Sequence, residues 1–145
     1  MKRHNGRILA VMALYNMDVS SLNPEETMNS FNEILEMELN EEYPVEFDEK
    51  YARKLISGVC ENLPIIDDKI SANLVNYTLD RLSYVDRAII RVATYEMMCL
   101  GLPKTVAINE AIEITKEYSS LDDKQAKFNN KVLATIADNI WIMIL

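Results

Sequence analysis

Few side chains in this 145-residue chain could carry out covalent chemistry. There is one histidine, His4, and it lies in a leading segment where fraying is expected. A Ser-His-Asp or Cys-His arrangement would have to be built on it, which makes nucleophilic hydrolysis improbable. Cys60 and Cys99 stand alone in apolar surroundings, with no C-x-x-C spacing and no adjacent histidine to complete a metal set. They read as reduced core thiols of a cytosolic protein. No glycine-rich phosphate loop is present.

What remains is recognition chemistry. Lys124, Lys127 and Lys131 line up along one side of a helical repeat, and Phe128 falls between that row and an apolar face. Cations beside a ring suit a single strand of RNA, because phosphates meet charge and splayed bases meet the aromatic face. A solvated lysine face beside a core phenylalanine gives the same spacing. A second basic stretch opens the chain, with Lys2, Arg3 and Arg7 and no acid before Asp18. Cations at a helix N-terminus oppose the macrodipole, whereas an anionic ligand would draw free N–H groups and basic side chains together. An ordinary charged N-terminus is the alternative. The formal net charge of −8 argues against a general nucleic-acid coat. The run from Glu25 to Glu49 is strongly acidic and reads as a solvated face, or as a surface that repels RNA or attracts a basic partner.

The elements that position these groups are helical. The chain has only three Gly and four Pro and no sustained β-branched alternation, so an all-α fold of about seven helices with short connections is expected. Leu82 to Lys116 organises it as two helices joined at Leu100-Gly101-Leu102-Pro103, with Ser83 as cap and Asp86 three residues on. Val85, Ala88, Ile89, Val92, Ala93, Met97, Cys99 and Leu100 give the first of them a wide apolar arc, leaving Arg87, Arg91 and Thr94 as a narrow polar strip. Glu96 falls inside that arc and needs donors; the free N–H groups around Lys104 to Ala107 are the nearest candidates. Its reading is a structural pin.

Upstream, Asn5 or Gly6 can cap a first helix with Ile8, Val11, Met12 and Tyr15 facing inward. Pro24-Glu25-Glu26 opens a second helix carrying Met28, Phe31, Ile34, Leu35 and Leu39. A loop near Asn40 to Pro44 precedes a third, Phe47 to Asn62, and Pro64 starts a fourth with Ile65, Ile66, Ile70 and Leu74 buried. The last helix opens at Ser120 with Asp123 three residues on, and buries Phe128, Val132, Leu133, Ile136 and Ile140. Its end, Ile140 to Leu145, is apolar all round and too short to span a membrane, so it packs back on the bundle or covers a partner.

Leu82-Ser83-Tyr84-Val85-Asp86-Arg87-Ala88-Ile89-Ile90-Arg91, continued through Glu96 and followed by Pro103 to Lys116, resembles the transcription antitermination factor NusB family. The likeness extends to Asn76 to Leu82, to Lys127 to Leu133 and to Arg7 to Tyr15, so it covers most of the chain. It implies a single all-helical domain made of two small bundles, about 1–78 and about 79–145. It implies no catalysis and no cofactor. The family binds the boxA element of nascent RNA with the ribosomal small-subunit protein NusE, within the RNA polymerase antitermination complex, notably on ribosomal RNA operons. By position, Arg3, Arg7, Tyr118, Lys127 and Phe128 would face RNA, while Tyr15, Asp80 and Asp86 would face the basic ribosomal partner. The chain departs from the family pattern at His4, Asn5 and Gly6, which are often basic, at Lys131, where a glycine is usual, and in its apolar end. A helical protein–protein adaptor without RNA recognition is the second reading, and an accessory subunit of an RNA-modifying enzyme the third. Pairing of the free protein with a second copy is left open.

Overall fold

The computed structural model describes residues 1–39, 46–120 and 122–144, the side chains of 38, 39 and 141–144 excepted. Seven α-helices follow one another there: α1 (Lys2–Val19), α2 (Pro24–Leu39), α3 (Glu49–Glu61), α4 (Leu63–Ala72), α5 (Tyr84–Cys99), α6 (Lys104–Ile114) and α7 (Asp123–Ile144). A 3-10 turn at Leu79–Arg81 leads towards α5, and a π-helical turn at Thr115–Ser119 continues α6. No strand occurs among the described residues, and no described helix is long and apolar enough to cross a membrane. The expected loop from Asn40 to Pro44 and the packing of the apolar end lie outside the described residues.

The helix boundaries follow from local hydrogen bonding. Ser83 Oγ accepts the Asp86 N–H at 3.1 Å and donates to Asp86 Oδ2 at 2.6 Å, which fixes the start of α5. Asn23 and Glu26 form a reciprocal capping box at α2, with bonds of 2.8 and 3.0 Å. Asp48 caps α3 by accepting the Tyr51 N–H at 2.9 Å, so that helix starts two residues after the expected Phe47. Gly101 ends α5 in the left-handed region, φ 67°, and the Leu102 N–H reaches back to the Glu96 carbonyl at 3.0 Å.

Two expected caps are corrected. Helix α1 begins at Lys2, ahead of Asn5 and Gly6, because those residues receive the segment before α3 instead. Asn5 Nδ2 donates to the Glu46 carbonyl at 2.7 Å, and a Cβ on Gly6 would stand 2.9 Å from the Asp48 carbonyl oxygen. Ser120 is extended and stands three residues ahead of α7, its Oγ accepting the Asp122 N–H at 3.1 Å, and the helix start is capped instead by Asp122 Oδ1, which accepts the Lys124 N–H at 3.0 Å.

Helix α5 is the hub, packed against α1, α3, α4, α6 and α7. Leu14, Leu55, Ile56, Ile66, Ile70, Ile89, Ile90, Leu133 and Ile136 lie in one buried cluster around it. Each contributes about 1.5–3 kcal/mol by burial. The expected polar strip on α5 is also corrected, because Arg91 and Thr94 are buried. Arg91 pairs bidentately with Asp67 on α4, at 2.9 Å for both bonds, and with Asp18 on α1 at 2.8 Å. The opposite error occurs elsewhere: Ile65 on α4 and Cys99 at the end of α5 are exposed, whereas Cys60 is half-buried.

The inner face of α1 is Leu9, Ala10, Ala13, Leu14 and Met17 together with Val11. Met12 and Tyr15, expected inside, are each 40% exposed. Helix α1 is thus apolar on two sides, and the outer side is free to form a surface.

Candidate RNA and partner surfaces

Glu96 is pinned, though not by the N–H groups opening α6. Those of Val106 and Ala107 both bond to the Pro103 carbonyl, and α1 and α3 supply the donors instead. Arg7 Nε donates to Glu96 Oε2 at 2.8 Å, and the Tyr51 hydroxyl donates to the same oxygen. Arg7 Nη1 also lies 3.5 Å from Glu110 Oε2 on α6. Burial pushes the Glu96 carboxyl up, against the opposing pull of the Tyr51 hydrogen bond and the Arg7 charge. Burial works to lower Arg7, and the Glu96 carboxylate outweighs it, so the guanidinium is raised. Burial and the hydrogen bond to Glu96 raise the Tyr51 phenol as well. Arg7, expected at the RNA, is 4% exposed, and its guanidinium is paired with the buried Glu96 and the half-buried Glu110.

Asp86, expected at the partner surface, is also turned inward. It is 4% exposed, and its oxygens accept from Ser83 Oγ, from Ser119 Oγ at 2.7 Å and from Asn129 Nδ2 at 3.1 Å. Asn129 is fully buried, and its Nδ2 also donates to Thr115 Oγ1 at 3.1 Å while Gln125 donates to its Oδ1 at 2.9 Å. Three elements meet in this network: the start of α5, the π-helical turn and α7. Its consequence is positional, because Tyr118 in the turn is held outward and Lys127 and Phe128 directly precede Asn129 on α7.

Around these pins the other expected residues lie in separate places. Tyr118 and Tyr15 share one apolar groove of about 270 Å³ with Ile8, Val11, Met12, Val85 and Ile114. Tyr15 packs edge to face on Tyr84, ring centroids 6.5 Å apart. Lys127 lines a larger open groove of about 680 Å³ between α6 and α7, where it meets Lys104 and Lys116. Phe128 is half-buried beside it and packs on Tyr77, centroids 5.3 Å apart, with the Arg81 guanidinium 4.8 Å above the Tyr77 ring. Lys124 and Lys131 are exposed. Arg3 stands apart at the start of α1, its guanidinium 4.3 Å over the Tyr51 ring. Asp80 is exposed, and a hydrogen bond from Thr78, helped by Arg87 and Arg81, holds its carboxyl below the usual range.

The family model described as the NusB family matches residues 4–138. The chain belongs to the NusB family. It is 42% identical over 141 residues to the transcription antitermination protein NusB of Bacillus subtilis strain 168, covering 97% of this chain and 98% of that protein. The corresponding protein of Bacillus licheniformis is 40% identical over 141 residues, 97% of this chain and 99% of the relative. Among solved structures, NusB of T. maritima superposes with a TM-score of 0.75 at 33% identity, covering 95% of this chain and 92% of that one. A chain from a crystal structure of the antitermination factors NusB and NusE in complex with dsRNA gives a TM-score of 0.77 at 28% identity, covering 93% and 95%.

Sequence reasoning did not place Lys104, Lys116, Tyr77 and Arg81 beside Lys127 and Phe128. The two lysines lie at opposite ends of the α6 segment, twelve residues apart, and face the groove as one set only because α7 packs alongside. Tyr77 and Arg81 sit outside any long helix, so no periodicity marks them.

Proposed function

We propose that the protein is a cytoplasmic transcription antitermination factor that binds boxA-type single-stranded RNA together with the ribosomal protein NusE, as a regulator without catalysis. The nearly full-length match to antitermination proteins carries this reading. The groove between α6 and α7 supports it locally. Lys104, Lys116 and Lys127 line one cleft with Asp123 and Asp138, the Lys104 ammonium 3.8 Å from Asp138 Oδ1, and an aromatic pair, Phe128 on Tyr77, borders Lys127 along the chain. Phosphates would meet the lysines and a splayed base would meet the rings. Lys124 and Lys131 are exposed cations on α7 that would extend the path, while Arg3 would meet RNA separately at the start of α1.

The partner surface of this reading is the apolar groove at Tyr15 and Tyr118, with Asp80 as the acid facing a basic protein. Tyr118, expected at the RNA, is assigned to the partner side in this proposal, supported by the groove it lines with Tyr15. Arg7 and Asp86 act from inside, by fixing α1 and the π-helical turn. Replacing Lys127 and Phe128 together with Ala should weaken boxA binding by tenfold or more, at about 1–3 kcal/mol for a stacked base, while NusE binding persists. Unchanged RNA binding would remove this groove from the site. Binding of NusE with no RNA at any salt concentration would leave a protein–protein adaptor.

A further inference from the structure

The imidazole of His4 and three carboxylates from the other end of the chain form a group that the RNA reading does not use. His4 belongs to α1, with its side chain 14% exposed, and is not frayed as its place in the sequence suggests. Its Nδ1 meets Glu110 Oε2 at hydrogen-bond distance and lies 3.8 Å from Glu113 Oε2, while its Nε2 lies 3.7 Å from Glu117 Oε1. Glu110, Glu113 and Glu117 recur at three and four residues, so one face of α6 and the following π-helical turn delivers all three.

We propose that His4 Nδ1 and the carboxylates of Glu110 and Glu113 bind a divalent transition-metal ion of the Zn²⁺ class. One ligand atom from each of the three residues lies within 4.8 Å of the others. Zinc takes nitrogen and carboxylate oxygen at about 2.0–2.2 Å, so small side-chain rotations close the set around an ion and leave a fourth position to water. The outer partners are already present. With Nδ1 on the metal, Nε2 carries the proton and faces Glu117, the carboxylate–histidine arrangement that fixes tautomer and ring orientation. Arg7 Nη1 lies 3.5 Å from the Glu110 oxygen that His4 contacts.

Charge points the same way. Three carboxylates, Glu110, Glu113 and Glu117, surround the one imidazole, and the Arg7 guanidinium that touches Glu110 is shared with Glu96. A nitrogen with carboxylates selects borderline ions over Mg²⁺, which favours all-oxygen octahedral sites. The ion would clasp the start of α1 to the end of α6, two segments 106 residues apart.

The test is calorimetric titration of Zn²⁺ into the untagged, chelator-treated full chain, with Mg²⁺ as control. One equivalent of Zn²⁺ per chain and none of Mg²⁺ is expected. Glu117→Gln should weaken Zn²⁺ by about tenfold, as loss of an outer partner does. His4→Ala should abolish the site; if that variant fails to fold, Glu113→Gln, at an exposed position, should weaken it as strongly. Co²⁺ should give visible d–d bands without thiolate charge-transfer absorption. No stoichiometric Zn²⁺ binding, binding retained in both ligand variants, or a thiolate band pointing to Cys60 or Cys99 would each overturn the assignment.

Discussion

Replacing Arg7 separates a structural guanidinium from a phosphate contact. The residue is 4% exposed, donates to Glu96 at 2.8 Å and leaves that carboxylate, 1% exposed, with only the Tyr51 hydroxyl when it is removed. Removing one partner of a buried pair costs about 3–5 kcal/mol, because the other charge stays buried and uncompensated. For a chain of this size each kcal/mol lowers the melting temperature by roughly 3 °C, so Arg7→Met should melt roughly 10–15 °C below wild type. Arg7→Met combined with Glu96→Leu should recover most of the loss, since a well-packed apolar pair of similar volume is close to neutral. Thermal unfolding followed by circular dichroism reads both variants. RNA affinity measured well below the lower transition should fall less than tenfold. A melting temperature within about 2 °C of wild type combined with a collapse of RNA binding would refute the burial reasoning and return Arg7 to the RNA surface.

Three further outcomes are expected. Asn129→Ala removes the donor shared by Asp86 and Thr115, so the urea midpoint should drop by the equivalent of about 1–3 kcal/mol with an unchanged slope, and RNA binding should weaken because Lys127 and Phe128 lose their anchor; an unchanged midpoint would contradict this. Gly58→Ala places a Cβ 2.0 Å from Tyr95 Cζ, and should destabilise by about 1–3 kcal/mol unless paired with Tyr95→Leu, as chemical denaturation of the single and double variants will show. Burial raises Glu96, so the folded chain keeps its proton at pH values where the unfolded chain has lost it. The stability of wild type minus Glu96→Gln should therefore decrease as pH rises above the ordinary glutamate value of about 4.3, and an increase would contradict the direction of the shift.

The helical architecture was legible because it rests on local signals: Ser83, Gly101, Pro24 and the spacing of Leu55, Val59, Ile66 and Ile70 each act within a few residues. Burial was misjudged where long-range pairing decides it. Arg91 reads as surface until Asp18 and Asp67 are known to meet it, and Arg7 reads as a free cation until Glu96 is placed beneath it. Asp86 was recognised as a helix-start residue, but its donors Ser119 and Asn129 come from elements 33 and 43 residues away. His4 looked isolated for the same reason. The apolar side of α1 at Ile8, Met12 and Tyr15 was read as core because periodicity shows that a face is apolar, not what covers it. A division into two bundles near residue 78 is a proposal that native-state amide exchange can test, by showing whether α1–α4 and α5–α7 open as separate units.

Binding of boxA RNA to the protein, alone and with NusE, across a salt series tests the antitermination reading most directly. With about four phosphates neutralised, by Lys104, Lys116, Lys127 and one of the neighbouring exposed cations, the slope of log K against log salt should be about −3 for a single strand. Sequence-dependent binding that tightens with NusE and loses about one unit of slope in Lys127→Ala is the expected result. A slope near zero, or binding indifferent to the boxA sequence and to NusE, would contradict it.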